Sequence, residues 1–212
     1  MINVTLQDIQ TALNLTSFDT PAAHQLMAPL NRQIQRPKNQ SGNARVGSVL
    51  LLLYCHRGSH HLALTRRRDD LNSHAGQISF PGGKHEPGET IKVAALRETY
   101  EEIGVPPTAV TLIGDLTTIW IPPSDFRVHP FVGWVHSGAR PSFTLAKDEV
   151  AELLEVPLTH LLNPAARKEG PMQIRGAQFT VPYFDVEGYK VWGATAVMLS
   201  EFIERLRVVI KP

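Results

Sequence analysis

The chain has 212 residues, with 21 Lys+Arg against 20 Asp+Glu, a formal net charge of +1, and 42% apolar to 19% charged residues. This composition is ordinary for a globular protein and excludes a disordered polyelectrolyte, and the near-neutral balance argues against a partner read through nucleic-acid phosphates. Cys55 is the only cysteine, which excludes an internal disulfide framework and a thiolate-rich zinc site.

A reducing, cytoplasmic compartment is expected. The apolar run around residues 49–55 falls far short of the ~20 residues that a membrane span needs, and residues 1–15 lack the regions of a signal peptide. Thr5, with Asp8 three residues on, resembles a capping box, and Leu6, Ile9 and Leu13 share one helical face. Thr20 followed by Pro21 marks a second helix start. Residues 32–43 are polar and carry Pro37, Asn39, Ser41 and Gly42, so they read as an exposed loop. Residues 1–43 are therefore expected to form an N-terminal helical extension, and 44–212 the main domain.

Strands are expected over 46–55, 62–66 and 77–80, the last closed by Pro81-Gly82-Gly83. A helix over 90–103 ends at Gly104, with Pro106 and Pro107 just beyond. Strand-like segments follow over 111–119, 128–135, 173–181 and 189–192, and a final amphipathic helix over 194–207. The class is mixed α/β. Cys55, at a strand end, reads as a small buried hydrophobe.

The helix over 90–103 carries the chemistry. At 100° per residue Val93, Leu96, Tyr100 and Ile103 fall within roughly 80° and are expected to form its buried stripe. Glu98, Glu101 and Glu102 lie opposite, with Glu98 and Glu102 stacked four residues apart. Like charges at this spacing repel by a few tenths of a kcal/mol per pair, at the helix end whose dipole disfavours anions. Arg97 offsets part of that repulsion and can reach Glu89. A solvated acidic face is the plain alternative.

Reading outward gives Gly83, five residues, Glu89, seven residues, then Arg97-Glu98-Thr99-Tyr100-Glu101-Glu102-Ile103-Gly104-Val105. This resembles the signature of the Nudix hydrolases, with every fixed Gly, Glu and Arg in register. Thr99 departs, at a position where the family usually carries an aliphatic residue. The segment Leu64-Thr65-Arg66-Arg67, then Leu71, His74, Gly76-Gln77 and Phe80-Pro81-Gly82-Gly83, resembles the motif upstream of that signature in the coenzyme A pyrophosphatase branch. Glu149-Val150, Val156-Pro157-Leu158 and residues 191–196 also resemble it.

The resemblance implies a Nudix-type α/β/α sandwich around a mixed sheet, and metal-dependent hydrolysis of the diphosphate of coenzyme A or its thioesters. It implies Glu98, Glu102 and Glu101 as metal ligands, with the Gly83 backbone beside them, and Glu89–Arg97 as a structural ion pair. Hard oxygen ligands select Mg²⁺ or Mn²⁺ over zinc. Glu98, Glu101 and Glu149 are all candidates for the proton acceptor, and Glu149 is favoured because it lies off the helix. Arg66 and Arg67 suit substrate phosphates but alternate across the strand, and His74 is a candidate for substrate contact or loop orientation. His56, His60 and His61, near a hairpin turn, fit packing or exposure better than metal ligation.

The expected partner is a small molecule, coenzyme A or an acyl form, with no nucleic acid and no membrane; a homodimer rests on family analogy alone. Two alternatives remain. One is a Nudix hydrolase of another nucleoside diphosphate derivative: a nucleoside triphosphate, an ADP-sugar or a dinucleotide. The other is a non-catalytic Nudix-like ligand sensor.

Overall fold

The computed structural model describes residues 4–28, 44–70, 76–174 and 176–210. The loop expected over 32–43 lies outside them. In chain order the elements are α1 (Leu6–Leu13), α2 (Thr20–Gln25), β1 (Arg45–His56), β2 (Ser59–Arg67), β3 (Ile78–Ser79), β4 (Gly82–Lys84), α3 (Ile91–Ile103), β5 (Val110–Asp115) and β6 (Ile119–Ile121). Then come β7 (Phe126–Ala139), β8 (Val150–Pro157), α4 (Leu158–Leu162), β9 (Arg167–Ile174), β10 (Ala177–Val186), β11 (Tyr189–Trp192) and α5 (Gly193–Val209).

The main sheet is mixed: β1 pairs parallel with β7, while its other pairings are antiparallel. β1 and β2 form a hairpin from Leu53↔Leu62 to His56↔Ser59 and then splay apart. The gap is filled by the segment that follows β2, with β3 pairing to β2 at Thr65↔Ser79 and β4 pairing to β1 at Ser48↔Gly83. This wedge places glycine-rich backbone inside an open sheet. Three further strands, β9, β10 and β11, form a second antiparallel sheet.

Side-chain alternation divides the sheet into two cores. Leu50, Leu52, Tyr54 and Ala63 pack with Ala95 and Ile103 of α3 on one face. Leu51, Leu53, Leu62 and Leu64 face the other way, into a core shared with Phe202, Ile203 and Leu206 of α5. The outcome is the α/β/α arrangement expected from the sequence. Ile9 and Ala12 of α1, with Met27, enter the same core as α5. Among the described residues no helix is long and apolar enough to cross a membrane.

Local chemistry explains most boundaries. In the α1 capping box Asp8 N donates to Thr5 Oγ1 at 3.1 Å, and Thr5 N donates to Asp8 Oδ2 at 2.8 Å. α3 is capped by Thr90 and ends at Gly104, whose φ of 75° is left-handed; a Cβ there would lie 2.8 Å from Thr144 Cβ. Four expectations need correction. The strand over 111–119 is two strands, because the Thr117 N–H leaves the sheet for the Glu201 carboxylate, at 3.2 and 3.3 Å. The strand over 173–181 is a hairpin, turned at Gly176 with φ 81°. A strand at β8, not expected at all, pairs along β2. Cys55 is half-buried rather than enclosed.

A buried polar knot joins the N-terminal helices to α5. Glu201 is fully buried and accepts from Thr117 N, from Thr117 Oγ1 at 3.0 Å and from Arg205 Nε at 3.1 Å, with His24 Nε2 at 2.8 Å. Ser200 Oγ donates to Ala23 O at 2.7 Å beside it. Both oxygens of this carboxylate are hydrogen-bonded, which is what makes a charge tolerable at that depth.

Candidate active site

The face that α3 turns to the sheet differs from the expected stripe. Val93 and Tyr100 are 49% and 53% exposed, whereas Ala94, Ala95, Thr99, Glu102 and Ile103 are buried. The small Ala94 and Ala95 let the helix lie close on β1, and that rotation carries Glu102 inward to 5% exposure instead of leaving it with the solvated face. Thr99 is fully buried and its hydroxyl donates to Ala95 O at 2.7 Å, so the polar group is satisfied within the helix.

Glu102 meets the wedge. It accepts from the Gly82 N–H, and Thr65 Oγ1 lies 3.4 Å from its Oε2. Burial pushes its carboxyl up to about 8, the Gly82 N–H opposes that, and the charges of Glu98 and Glu149 add to it. Glu98, one turn away, is also raised, first by burial and against the pull of Arg97.

Glu98 rests on bare backbone: a Cβ built on Gly83 would stand 2.4 Å from its carboxyl carbon and 2.5 Å from both oxygens. Gly83→Ala must therefore displace Glu98. A misplacement of about 1 Å at a reacting centre costs on the order of 10²-fold in rate, and steady-state kinetics on purified protein checks this.

Arg97 organises the outer side. Its Nε and Nη2 reach both Glu89 oxygens, at 3.1 and 2.9 Å, and Nη2 also donates to Lys84 O at 3.1 Å. Its Nη1 meets Glu98 Oε1 at 3.0 Å and Glu101 Oε2 at 2.9 Å. The guanidinium, first of all, holds the Glu89 carboxyl down at about 2. Loop and helix are thus clamped by one side chain.

Glu149 sits in the turn before β8, outside any helix. Its backbone is fixed by Glu149 N donating to Ala146 O at 3.0 Å and Arg68 N donating to Glu149 O at 3.2 Å. Arg67 Nη1 stands 3.8 Å from Glu149 Oε2, too far for a hydrogen bond, and the buried Arg67 Nε has no hydrogen-bond partner. Arg66 lies on the opposite sheet face, bound twice to Asp69 at 2.9 and 3.0 Å and 3.4 Å from Glu152. The structure thus brings Glu98, Glu101, Glu102, Glu149, Gly83 and Arg67 to one end of the sheet, with Glu89–Arg97 behind them, and leaves Arg66 apart. His74 lies outside the described residues, and so does Leu71.

Two supports were not singled out from sequence. Thr65 shares the face of Arg67 by simple alternation, which could have flagged it. The segment after β7 is the other: Thr144 N and Ala146 N donate to Ile103 O and Glu102 O at 3.0 and 2.9 Å, capping α3. Its start is fastened by Arg140, forked onto Glu155 at 2.6 and 2.8 Å, and by Tyr54, whose hydroxyl donates to the same carboxylate at 2.8 Å. No local pattern announces contacts this distant in sequence.

The donor set is one of hard oxygens, which suits a divalent cation such as Mg²⁺ or Mn²⁺. Among the described residues no three acidic, histidine or cysteine side chains already converge on one point. Glu98 and Glu101 lean on Arg97, which takes the place of a cation as their counter-charge. The residues still fit such an ion: Glu102 is buried and Glu98 half-buried, and burial and neighbouring carboxylates disfavour the charge of each, which a cation would offset.

A NUDIX domain model matches residues 45–174. The chain belongs to the Nudix family. Its relatives include Nudix hydrolase 3 of Caenorhabditis elegans, 33% identical, with 75% of this chain and 72% of that protein covered. Two proteins named uncharacterized Nudix hydrolase NudL are each 34% identical: that of Photorhabdus laumondii, with 81% of this chain and 90% of the relative covered, and that of Escherichia coli, with 94% and 98%. The fold is that of a MutT/nudix family protein from Enterococcus faecalis, with TM-score 0.53 at 11% identity over 95% of this chain and 74% of that one. It is also that of a MutT protein from Methanosarcina mazei, with TM-score 0.51 at 20% identity over 82% and 100%. This Nudix chain is accordingly a hydrolase of a nucleoside diphosphate derivative, a small-molecule substrate.

Proposed function

We propose that this Nudix hydrolase cleaves the diphosphate of coenzyme A and its thioesters, giving adenosine 3′,5′-bisphosphate and 4′-phosphopantetheine or its acyl form. The observation that carries the hydrolytic reading is the pair of buried Glu102 and half-buried Glu98 set against the Gly82–Gly83 backbone. Coenzyme A as substrate rests on the resemblance of residues 64–83 to the coenzyme A branch, whose last residues, 78–83, lie in the wedge between β1 and β2.

Glu98 and Glu102 would hold a divalent ion, with Glu101 and the Gly83 backbone beside them, and the ion supplies charge neutralisation for the diphosphate and acidifies water near it. Water adds to one phosphorus, the P–O–P bridge breaks, and the departing phosphate leaves as an anion. Glu149, off the helix and without a hydrogen-bonded cation, accepts the proton of the attacking water. Arg67, with Nε unengaged, binds phosphate oxygens. Arg66 is neutralised by Asp69 and Glu152 on the far face and does not share that role.

Coenzyme A, an acyl thioester, ADP-ribose, NADH and nucleoside triphosphates, each offered with Mg²⁺ or Mn²⁺ and read by chromatography of products, test the reading. The highest kcat/KM is expected for coenzyme A or its thioester, and a preference for any other member of the panel would replace the substrate assignment. Dephospho-coenzyme A is expected to be the poorer substrate, and equal specificity constants would remove any role for the 3′-phosphate. Arg67→Ala is expected to lower kcat/KM for coenzyme A by about 10-fold or more, the loss of one charge-assisted hydrogen bond of roughly 1.5–3 kcal/mol.

A further inference from the structure

Ser48 is the one buried hydroxyl among the described residues with no hydrogen-bond partner, and it is 1% exposed. Leaving such a group unpaired costs roughly 1–3 kcal/mol, so its retention needs a reason beyond folding. Its position supplies one. Ser48 alternates with Leu50, Leu52 and Tyr54 on β1, all of which pack on the α3 side of the sheet, so its side chain points to that side as well.

Across the wedge Ser48 pairs directly with Gly83. Directly opposed residues on antiparallel strands project to the same face, with Cβ positions roughly 4.5–5.5 Å apart. The Cβ position of Gly83 is occupied by the Glu98 carboxylate, at 2.4–2.5 Å. The unpaired hydroxyl is therefore a close lateral neighbour of Glu98, on the sheet side of it, while Arg97 holds Glu98 Oε1 from the solvent side at 3.0 Å.

We infer that Ser48 is a positioning residue. Its hydroxyl donates to the Glu98 carboxylate when that group turns from Arg97 to a divalent cation, and fixes the orientation in which Glu98 binds. Arg97 and Ser48 are then alternative partners of one carboxylate, the first for the metal-free protein and the second for the loaded one. A donor behind a ligating carboxylate characteristically contributes 10–100-fold to metal affinity. This inference rests on the reading of Glu98 as a ligand.

The test uses Mn²⁺ alone, with binding followed by the loss of the free-ion electron paramagnetic resonance signal, and thermal unfolding in chelator. Ser48→Ala is expected to weaken Mn²⁺ binding about 10-fold or more while the chelated protein unfolds at the same or a higher temperature, since an unpaired buried donor has been removed. In a Glu98→Gln background, adding Ser48→Ala should change Mn²⁺ affinity no further. Wild-type affinity retained in Ser48→Ala overturns the inference and leaves the site reading standing. A lower unfolding temperature for chelated Ser48→Ala also overturns it, because the hydroxyl then serves folding. Wild-type protein that binds no Mn²⁺ refutes the site reading itself, and the role of Ser48 with it.

Discussion

Glu102→Gln is expected to lower metal-dependent turnover by at least about 10²-fold while the folded state is retained. The bound follows from scale: residues that only support a ligand already contribute 10–100-fold, so an inner carboxylate contributes no less. Retention of the fold follows from geometry. Gln keeps an oxygen to accept from the Gly82 N–H and occupies the same volume. It also removes a charge that burial and the neighbouring carboxylates disfavour.

The pH dependence has a definite sign. A carboxyl raised from 4.5 to about 8 binds an extra proton in the folded state between those values, so it makes the wild-type chelated protein lose stability as pH rises through that window. Glu102→Gln should remove that part of the loss. Undiminished product formation by the variant, or a collapse of its circular dichroism, would each contradict the assignment.

The largest effect on stability is expected at Glu201, far from the reaction. Glu201→Ala leaves His24, the Thr117 N–H and Arg205 without their acceptor in a buried setting, and removing one partner of a buried pair costs about 3–5 kcal/mol. Urea unfolding measures this directly. Burial alone would raise the Glu201 carboxyl, but the hydrogen bond and charge of His24, with Arg205, outweigh burial and hold it below 4.5. A depressed carboxyl adds stability above its unfolded value, and that contribution is lost as pH falls through its folded one. Acid unfolding of wild type should therefore include a step below pH 4.5 that Glu201→Gln lacks; identical acid limbs would contradict it.

Much of this was legible in the residues. Thr5 and Asp8, and Gly104 before two prolines, each mark an end by chemistry that acts within a few residues, and the structure uses each of them. β1 and β11 announced themselves by composition. What failed was inference that depended on the partner. Val93 and Tyr100 are apolar and periodic, yet α3 turns outward there, because its inner face must bring Glu102 to a glycine backbone and packs instead through Ala94, Ala95 and Thr99. A hydrophobic stripe predicts burial when burial is all that a helix face does. β8 was hidden because its neighbour β2, and not its own alternation, decides its pairing. Arg66 and Arg67 were separable by alternation; that Asp69 and Glu152 occupy one and leave the other open required coordinates.

The knot around Glu201 also bears on the order in which the molecule forms. His24 meets Glu201, and Ala23 meets Ser200, across 177 residues of chain. On a ribosome α1 and α2 emerge well before α5, which supplies most of their docking surface, and the parallel pairing of β1 with β7 must likewise wait. Closing such long loops precedes any reward from the contacts, which slows folding. Helices α1 and α2 are thus among the last elements to be secured, and until then their apolar face, Ile9 and Ala12 included, is open to capture by a chaperone or by another nascent chain.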